Sequence, residues 1–204
     1  MSSPKIAIVI YTMFGHIGTM AEAVKNGIKK AGGDADIYQV AETLPEEVLV
    51  KMKASPKPDY PIATPDTLTK YDAYMFGIPT RYGNMPAQFK TFWDATGQLW
   101  VKGSLSGKYA GVFVSTSSLG GGQEMTPLTL MSTLVHHGII FVPLGYASGL
   151  NQLGTLEEAH GGSAWGAGTL AGPNFSRQPS QREIDIAERH GEHFYKMVSR
   201  VKMD

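Results

Sequence analysis

The chain of 204 residues contains no cysteine. Disulfides, thiolate metal sites and a cysteine nucleophile are therefore excluded. It also lacks an excess of either charge: Lys+Arg and Asp+Glu number 18 each, so the formal net charge at pH 7 is zero. A nucleic-acid binder normally carries a basic excess. A small electron shuttle that finds its partners by long-range attraction carries a charge of one sign. No apolar run approaches the ~20 residues of a membrane-spanning helix. The opening Met-Ser-Ser-Pro has neither the charged nor the apolar region of a signal peptide. The expectation is a soluble, cytoplasmic protein, with residues 1–204 forming a single domain.

Several catalytic signatures are missing too. G-x-S-x-G is absent, and Ser117-Ser118 has no arranged acid, which removes a serine hydrolase. A phospho-receiver domain needs acidic residues at the end of the first strand and an Asp at the end of the third, where this chain has Tyr11-Thr12 and Phe76-Gly77. H-E-x-x-H is absent. His136 and His137 are adjacent, so on a helix they point about 100° apart and do not easily face one ion. His190 and His193 have ligand spacing but no acidic or thiolate cluster beside them, so no metal is expected. Instead, one of His136 and His137 is expected to face a pocket and the other to be buried or at an interface.

What is present begins with Ile6-Ala7-Ile8-Val9-Ile10, an apolar β-branched run of the kind buried on both sheet faces. It leads into Tyr11-Thr12-Met13-Phe14-Gly15-His16-Ile17-Gly18-Thr19, then into apolar residues at Ile17, Met20, Ala21, Val24 and Ile28, the spacing of one helix face. Strand, small-residue turn and helix start together make an anion site, because first-turn amides have no internal partner. No Lys or Arg lies between Tyr11 and Val24, and both G-x-x-x-x-G-K-[ST] and G-x-G-x-x-G are missing. A phosphate held by amides and hydroxyls alone suits the monophosphate of flavin mononucleotide (FMN). The same turn also reads as an ordinary strand-to-helix connection. His16 is expected either to bond near the phosphate or to cover the helix start.

Further along, strands are expected at residues 35–40, 73–77, 109–114 and 139–142, alternating with helices. Gly32-Gly33 stops the first helix. Residues 45–53 can form one or two helical turns, and residues 55–65, with four prolines, read as an extended surface loop. Asn84 is expected to cap the next helix, with Pro86 in its first turn. Residues 98–108 read as a loop carrying Trp100, and residues 128–137 as a helix. Residues 145–178 form a long glycine-rich stretch without periodicity, a length that in a compact domain is usually functional. The last helix opens with Pro179 and the capping box Ser180-x-x-Glu183, followed by a face of Ile184, Ala187, Gly191, Phe194, Tyr195 and Val198.

Alternating strands and helices with five core strands predict an α/β, doubly wound parallel sheet of five strands. Ligands of such sheets lie beyond the carboxyl ends of the strands. Three loops converge there: residues 12–17, 79–84 and 115–122. With a phosphate at the first, Thr80, Arg81 and Tyr82 can present donors and an aromatic edge to a flavin. The glycines of the third can approach the ring or ribityl chain closely. Phe14, Trp100 and Trp165 are loop aromatics suited to walling a planar slot.

The segments Thr12-Met13-Phe14-Gly15-His16-Ile17, Pro79-Thr80-Arg81-Tyr82-Gly83-Asn84-Met85, Gly120-Gly121-Gly122-Gln123-Glu124, His136-His137-Gly138, Pro143-Leu144-Gly145-Tyr146 and Ser176-Arg177-Gln178-Pro179-Ser180 resemble the flavodoxin-like quinone reductases of the tryptophan-repressor-binding-protein (WrbA) family. The likeness runs in order over nearly the whole chain. It implies a flavodoxin-like fold, its strands in the order 2-1-3-4-5 with loop insertions, one FMN per subunit, and a homotetramer, at least a dimer, with active sites near subunit contacts. It implies two-electron, ping-pong reduction of quinones by NADH or NADPH, in protection against quinone and oxidative stress. By motif, Thr12, Met13, Phe14, Gly15, His16 and Ile17 would bind the phosphate. Thr80, Arg81, Tyr82 and the run Ser115, Thr116, Ser117, Ser118, Leu119, Gly120 would bind the ring and ribityl chain. His136 would line the site, and Trp100 matches a family Trp at the substrate slot; these two are the candidate catalytic residues. Phe14 stands where the family often has Tyr, and residues 115–119 lack the family's glycine. A one-electron flavodoxin-type carrier and a stress-linked flavin-binding scaffold are the alternatives to the enzyme.

Overall fold

A computed structural model describes residues 3–147 and 150–201. Met1 and Ser2 of the opening tetrapeptide, and Ser148 and Gly149 of the glycine-rich stretch, lie outside the described residues. In chain order the elements are β1 (Ile6–Ile10), α1 (His16–Lys30), β2 (Ala35–Gln39), α2 (Glu46–Lys51), α3 (Pro65–Thr69), β3 (Ala73–Pro79), α4 (Ala87–Asp94), α5 (Gly97–Val101), β4 (Tyr109–Thr116), α6 (Met125–His136), β5 (Ile140–Phe141), α7 (Leu150–Leu153), β6 (Gly168–Leu170) and α8 (Gln181–Val198). The sheet is parallel, with the path β2-β1-β3-β4-β5. All residues of β1 and β3 are buried, as continuous apolar runs require when helices cover both faces. Alternate side chains then feed two cores. Ile6, Ile8 and Ile10 pack under α1 and α8, while Ala7, Val9 and Tyr11 pack with Phe89, Trp93 and Leu130 of α4 and α6 on the other face.

The fifth position in the sheet is divided, which the expected five strands did not include. β5 pairs only with the start of β4, Tyr109↔Ile140 and Ala110↔Phe141. β6 takes over beside its end, with Val114↔Gly168, Ser115↔Thr169 and Thr116↔Leu170. The intervening segment is the glycine-rich stretch, so part of it is strand rather than loop. Its return is fastened by Glu183, fully buried at the start of α8. That carboxylate is the capping-box partner of Ser180, as expected. It also accepts from Gly161 N–H (2.9 Å), Leu170 N–H (3.0 Å), Thr169 Oγ1 (2.8 Å) and Arg177 Nη1 (2.9 Å). A buried carboxylate is tolerated only with such a full set of donors.

α1 and α8 lie against each other at main-chain distance. A Cβ on Gly27 would sit 1.8 Å from the Glu188 carbonyl oxygen, and one on Gly191 would sit 2.0 Å from that of Val24. The buried face of α8 includes Ile186 and two polar residues, Glu183 and His190, whereas Ile184 is only half-buried. Two other local expectations are corrected. Trp100 stands on the short helix α5, not in a loop. α4 starts after Pro86, with Asn84 bonded instead to its neighbour Met85 N–H at 2.7 Å. Pro86 cannot donate, and its fixed φ suits the residue just outside the helix.

Candidate functional site

The strand order reverses at β1, and a cavity of about 380 Å³ opens there beyond the carboxyl ends of β1, β3 and β4. Thr12, Met13, Phe14 and His16 line one side; Pro79, Thr80, Arg81 and Tyr82 another; Ser115, Thr116, Ser117 and Gly121 a third; Met52, Ala171 and Phe175 complete it.

The first wall is built by a turn through Gly15, whose φ of +87° favours glycine. No side chain caps α1. The amides of Phe14, Gly15, His16 and Ile17 have no acceptor among the described residues. They and the positive end of the helix dipole could hold an anion. Ile17 itself is fully buried beneath the loop, so of the predicted set it and Gly15 contribute backbone rather than cavity wall. His16 is buried, and its Nε2 lies 2.8 Å from the Arg177 carbonyl. A carbonyl only accepts, so that nitrogen carries a proton and is committed to the return segment, leaving it unavailable to an anion. Beside it Phe14 stacks on Phe175 with centroids 4.6 Å apart and planes 8° apart. The segment after β6 is thus pinned to the anion loop twice.

Behind the loop lies a polar network that the sequence did not suggest. Glu42 accepts from Tyr11 Oη (2.9 Å) and Gln88 Nε2 (2.8 Å), and pairs with Lys57 Nζ at 2.7 Å. Burial pushes its carboxyl up, but the bonds from Lys57, the Leu44 amide, Gln88 and Tyr11 outweigh this and bring it down to about 2. Burial first, and then the Glu42 carboxylate, push the Tyr11 phenol up, so it stays a donor.

The second wall is a two-residue turn. Arg81 and Asn84 exchange backbone bonds of 2.7 and 2.9 Å, and the residues between them, Tyr82 and Gly83, both have positive φ (56° and 74°). This throws the Tyr82 ring fully into solvent at the cavity rim. Thr80 Oγ1 anchors the turn, accepting from Gly83 N–H (3.1 Å) and Thr126 Oγ1 (2.8 Å). The third wall is held by Gln123. Its amide nitrogen donates to Thr116 Oγ1 (2.9 Å) and the Thr169 carbonyl (3.1 Å), and its oxygen accepts from Gly162 (2.8 Å). Ser118, Leu119 and Gly120, also expected at a ligand, are exposed beyond the cavity.

Trp100 and His136 do not border this cavity; both are exposed, on α5 and at the end of α6. His137, by contrast, is buried. Thr96 has one hydroxyl proton, which goes to the Trp93 carbonyl at 2.6 Å. His137 Nε2, 2.9 Å from the same oxygen, is therefore the donor there, and its buried Nδ1 is bare. Burial and then neighbouring His136 push its pKa down. Among the described residues no three His, Cys, Asp or Glu side chains gather as a metal site. No helix among them is long and apolar enough to cross a membrane.

Residues 14–151 match the family model described as NADPH-dependent FMN reductase. The chain belongs to that family. It is 61% identical to "NAD(P)H quinone oxidoreductase PST3" of Candida albicans, over 97% of this chain and all of that one. It is 59% identical to "Protoplast secreted protein 2" of Saccharomyces cerevisiae, over 97% and 99%. Among solved structures it resembles a WrbA-like flavodoxin from Agrobacterium tumefaciens, with a TM-score of 0.67 at 22% identity over 98% and 100% of the two chains. It also resembles oxidised flavodoxin 2 from Bacillus cereus, with a TM-score of 0.61 at 15% identity over 95% and 99%. These last two likenesses confirm the flavodoxin-like fold.

The residues present fit FMN. Unpaired amides without a lysine suit a monophosphate, and hydroxyls of Thr12, Ser115 and Ser117 border the same cavity. At its third wall a Cβ on Gly121 would come to 3.0 Å from Thr116 Cβ and the Ser118 carbonyl, so any larger residue there would press on its neighbours. Phe175 and Met52 were missed from the sequence. Phe175 has the signal of adjacency to the Ser176-Arg177-Gln178-Pro179-Ser180 motif; Met52, in a turn after α2, has none.

Proposed function

We propose that this protein is an FMN-dependent NAD(P)H:quinone oxidoreductase of the WrbA type. The observation that carries this reading is end-to-end identity of 61% with a protein named for that activity, joined to a cavity with the donor set for a flavin monophosphate. FMN, when bound, supplies two-electron transfer from NADH or NADPH to the quinone. The chain supplies position. Met13, Phe14, Gly15, His16 and Ile17 present amides to the phosphate. Thr80, Arg81 and Tyr82, with Ser115, Thr116 and Ser117, border the ring and ribityl chain, and residues 118–120 form the outer lip. Alternating use of one planar slot by nicotinamide and quinone makes the kinetics ping-pong.

The slot is completed in a homotetramer. In support, Trp100 and Val101 of α5 and Val135 and His136 of α6 are exposed together with Ile140 of β5, large apolar and aromatic groups that a lone chain leaves in water. Trp100 and His136 are then contributed by a neighbouring copy to the rim near Tyr82. The protein works in the cytoplasm, removing quinones before they enter one-electron cycles. Zero net charge favours this enzyme over a charge-steered one-electron carrier.

The test is stopped-flow absorbance of the FMN-loaded protein, mixed with NADH or NADPH and then with benzoquinone. The expected result is bleaching of the flavin in one phase, with no long-wavelength band, and rapid recovery on adding quinone. Slow bleaching with a persistent long-wavelength band would favour the carrier. Failure of the protein to retain FMN would favour the scaffold.

A further inference from the structure

The anion loop contains no cation, yet a lysine from the proline-rich segment reaches it from behind. Lys57 Nζ donates to the Thr12 carbonyl at 2.8 Å, and the Ser55 amide donates to the Met13 carbonyl at 2.9 Å. Ser55 and Lys57 do not border the flavin cavity; they border a separate cleft on the other side. The chain has no cis peptide among the described residues. In a planar trans peptide the C=O and the following N–H point in opposite directions. A Thr12 carbonyl held toward Lys57 therefore turns Met13 N–H toward the cavity. A Met13 carbonyl held toward Ser55 does the same for Phe14 N–H. Both donors are aimed before any ligand arrives.

Lys57 is engaged behind the loop. Besides Thr12 it pairs with Glu42 Oε2 at 2.7 Å and lies 4.3 Å over the Tyr11 ring. Glu42 cancels its charge and is itself held by Tyr11 and Gln88. Tyr11 immediately precedes Thr12, so the network closes on the loop it supports.

We infer that Lys57, fixed by Glu42, is a positioning residue for the phosphate of FMN: it orients the peptides that bind the anion without touching it. The inference rests on the FMN reading, and riboflavin, which has the same ring and ribityl chain but no phosphate, separates the two. Affinities for FMN and riboflavin are measured by flavin fluorescence quenching on wild type, Lys57→Met, Lys57→Arg and Glu42→Gln, with folding checked by circular dichroism. Wild type is expected to prefer FMN strongly. Lys57→Met is expected to lose FMN affinity by about tenfold or more, the worth of a well-aimed bond to a charged acceptor, while riboflavin affinity holds within about twofold. Lys57→Arg, which keeps donors for both partners, restores most of the preference. If Lys57→Met does not fold, Glu42→Gln must show the same selective loss in smaller degree. Equal losses for both ligands, or an unchanged FMN-to-riboflavin ratio, overturn the inference while leaving the flavin reading intact. A wild type that binds neither ligand overturns the flavin reading itself.

Discussion

The cavity at the carboxyl edge of the sheet and the surface of α5 and α6 near the amino ends of β4 and β5 are finished to different degrees. At the cavity, the chain completes its own site. Glu42, Lys57, Ser55 and His16 all find partners, and the return segment is clamped down by Glu183 and the Phe14–Phe175 stack. On α5 and the last turn of α6, beside the start of β4, Trp100 is 55% exposed and Val135 65%. α6 is apolar on more than one face, with Leu130 and Leu134 in the core while Met125, Leu128 and Val135 face outward. Large apolar side chains exposed together on one surface mark a contact site. A flavin's phosphate demands fixed donors, which one chain can preorganise. The slot proposed for two successive planar substrates would take its remaining wall from a neighbouring copy.

Removing the anchor of the self-contained region should have the largest effect. Glu183→Ala leaves the donors of Gly161, Leu170, Thr169 and Arg177 without their acceptor. Stability should fall by about 3–5 kcal/mol, read as a lowered urea midpoint, with FMN affinity falling too.

Acid should probe the same region. His190 on α8 is fully buried, accepts from Ala167 N–H at 3.2 Å and has its pKa lowered to about 3, by burial first and then by His193. A pKa lower in the fold than in the unfolded chain means that the unfolded state takes up the extra proton as pH falls. Stability should therefore be full above about 6.5 and decline below it toward 3, at up to about 1.4 kcal/mol per pH unit. His190→Gln should flatten the fall in urea midpoint between pH 7 and 5. Glu42 does not intrude, because its contribution is lost only as pH falls from 4.5 toward 2.

At the unfinished surface the signature should invert. Trp100→Ala should slow quinone turnover about tenfold, as loss of an aromatic wall does, with FMN affinity and stability nearly unchanged. Equal loss of turnover and FMN binding would place Trp100 in the fold or the flavin site instead. The smallest effect belongs to the cavity rim. Tyr82→Gly relieves a left-handed residue whose ring packs on nothing, and should raise stability by about 0.5–1 kcal/mol in thermal melts.

The sequence was most legible where chemistry is local. A β-branched run, a glycine turn without lysine and a periodic helix located the anion loop, alternation of strands and helices showed the doubly wound sheet, and the strand order came with the family resemblance. It was least legible where one residue acts at long range. Lys57 sits among prolines that announce only an extended loop. Glu183 reads as a cap, since nothing local shows that β6 and Arg177 converge on it. Gly168-Thr169-Leu170 is too short to carry a period, and it becomes strand because the end of β4 lacks a neighbour. Trp100 lies on a helix that begins at Gly97, a poor helix former.

The crossing of α1 and α8 carries a last consequence. Most intolerant positions can be rescued, because a side chain that obstructs one substitution can itself be trimmed by another. At Gly27 and Gly191 the obstructing atoms are carbonyl oxygens of Glu188 and Val24, which every amino acid carries. No second-site change can remove them. The two positions are barred separately, and a library randomised around this contact should return glycine at both, whatever it accepts elsewhere.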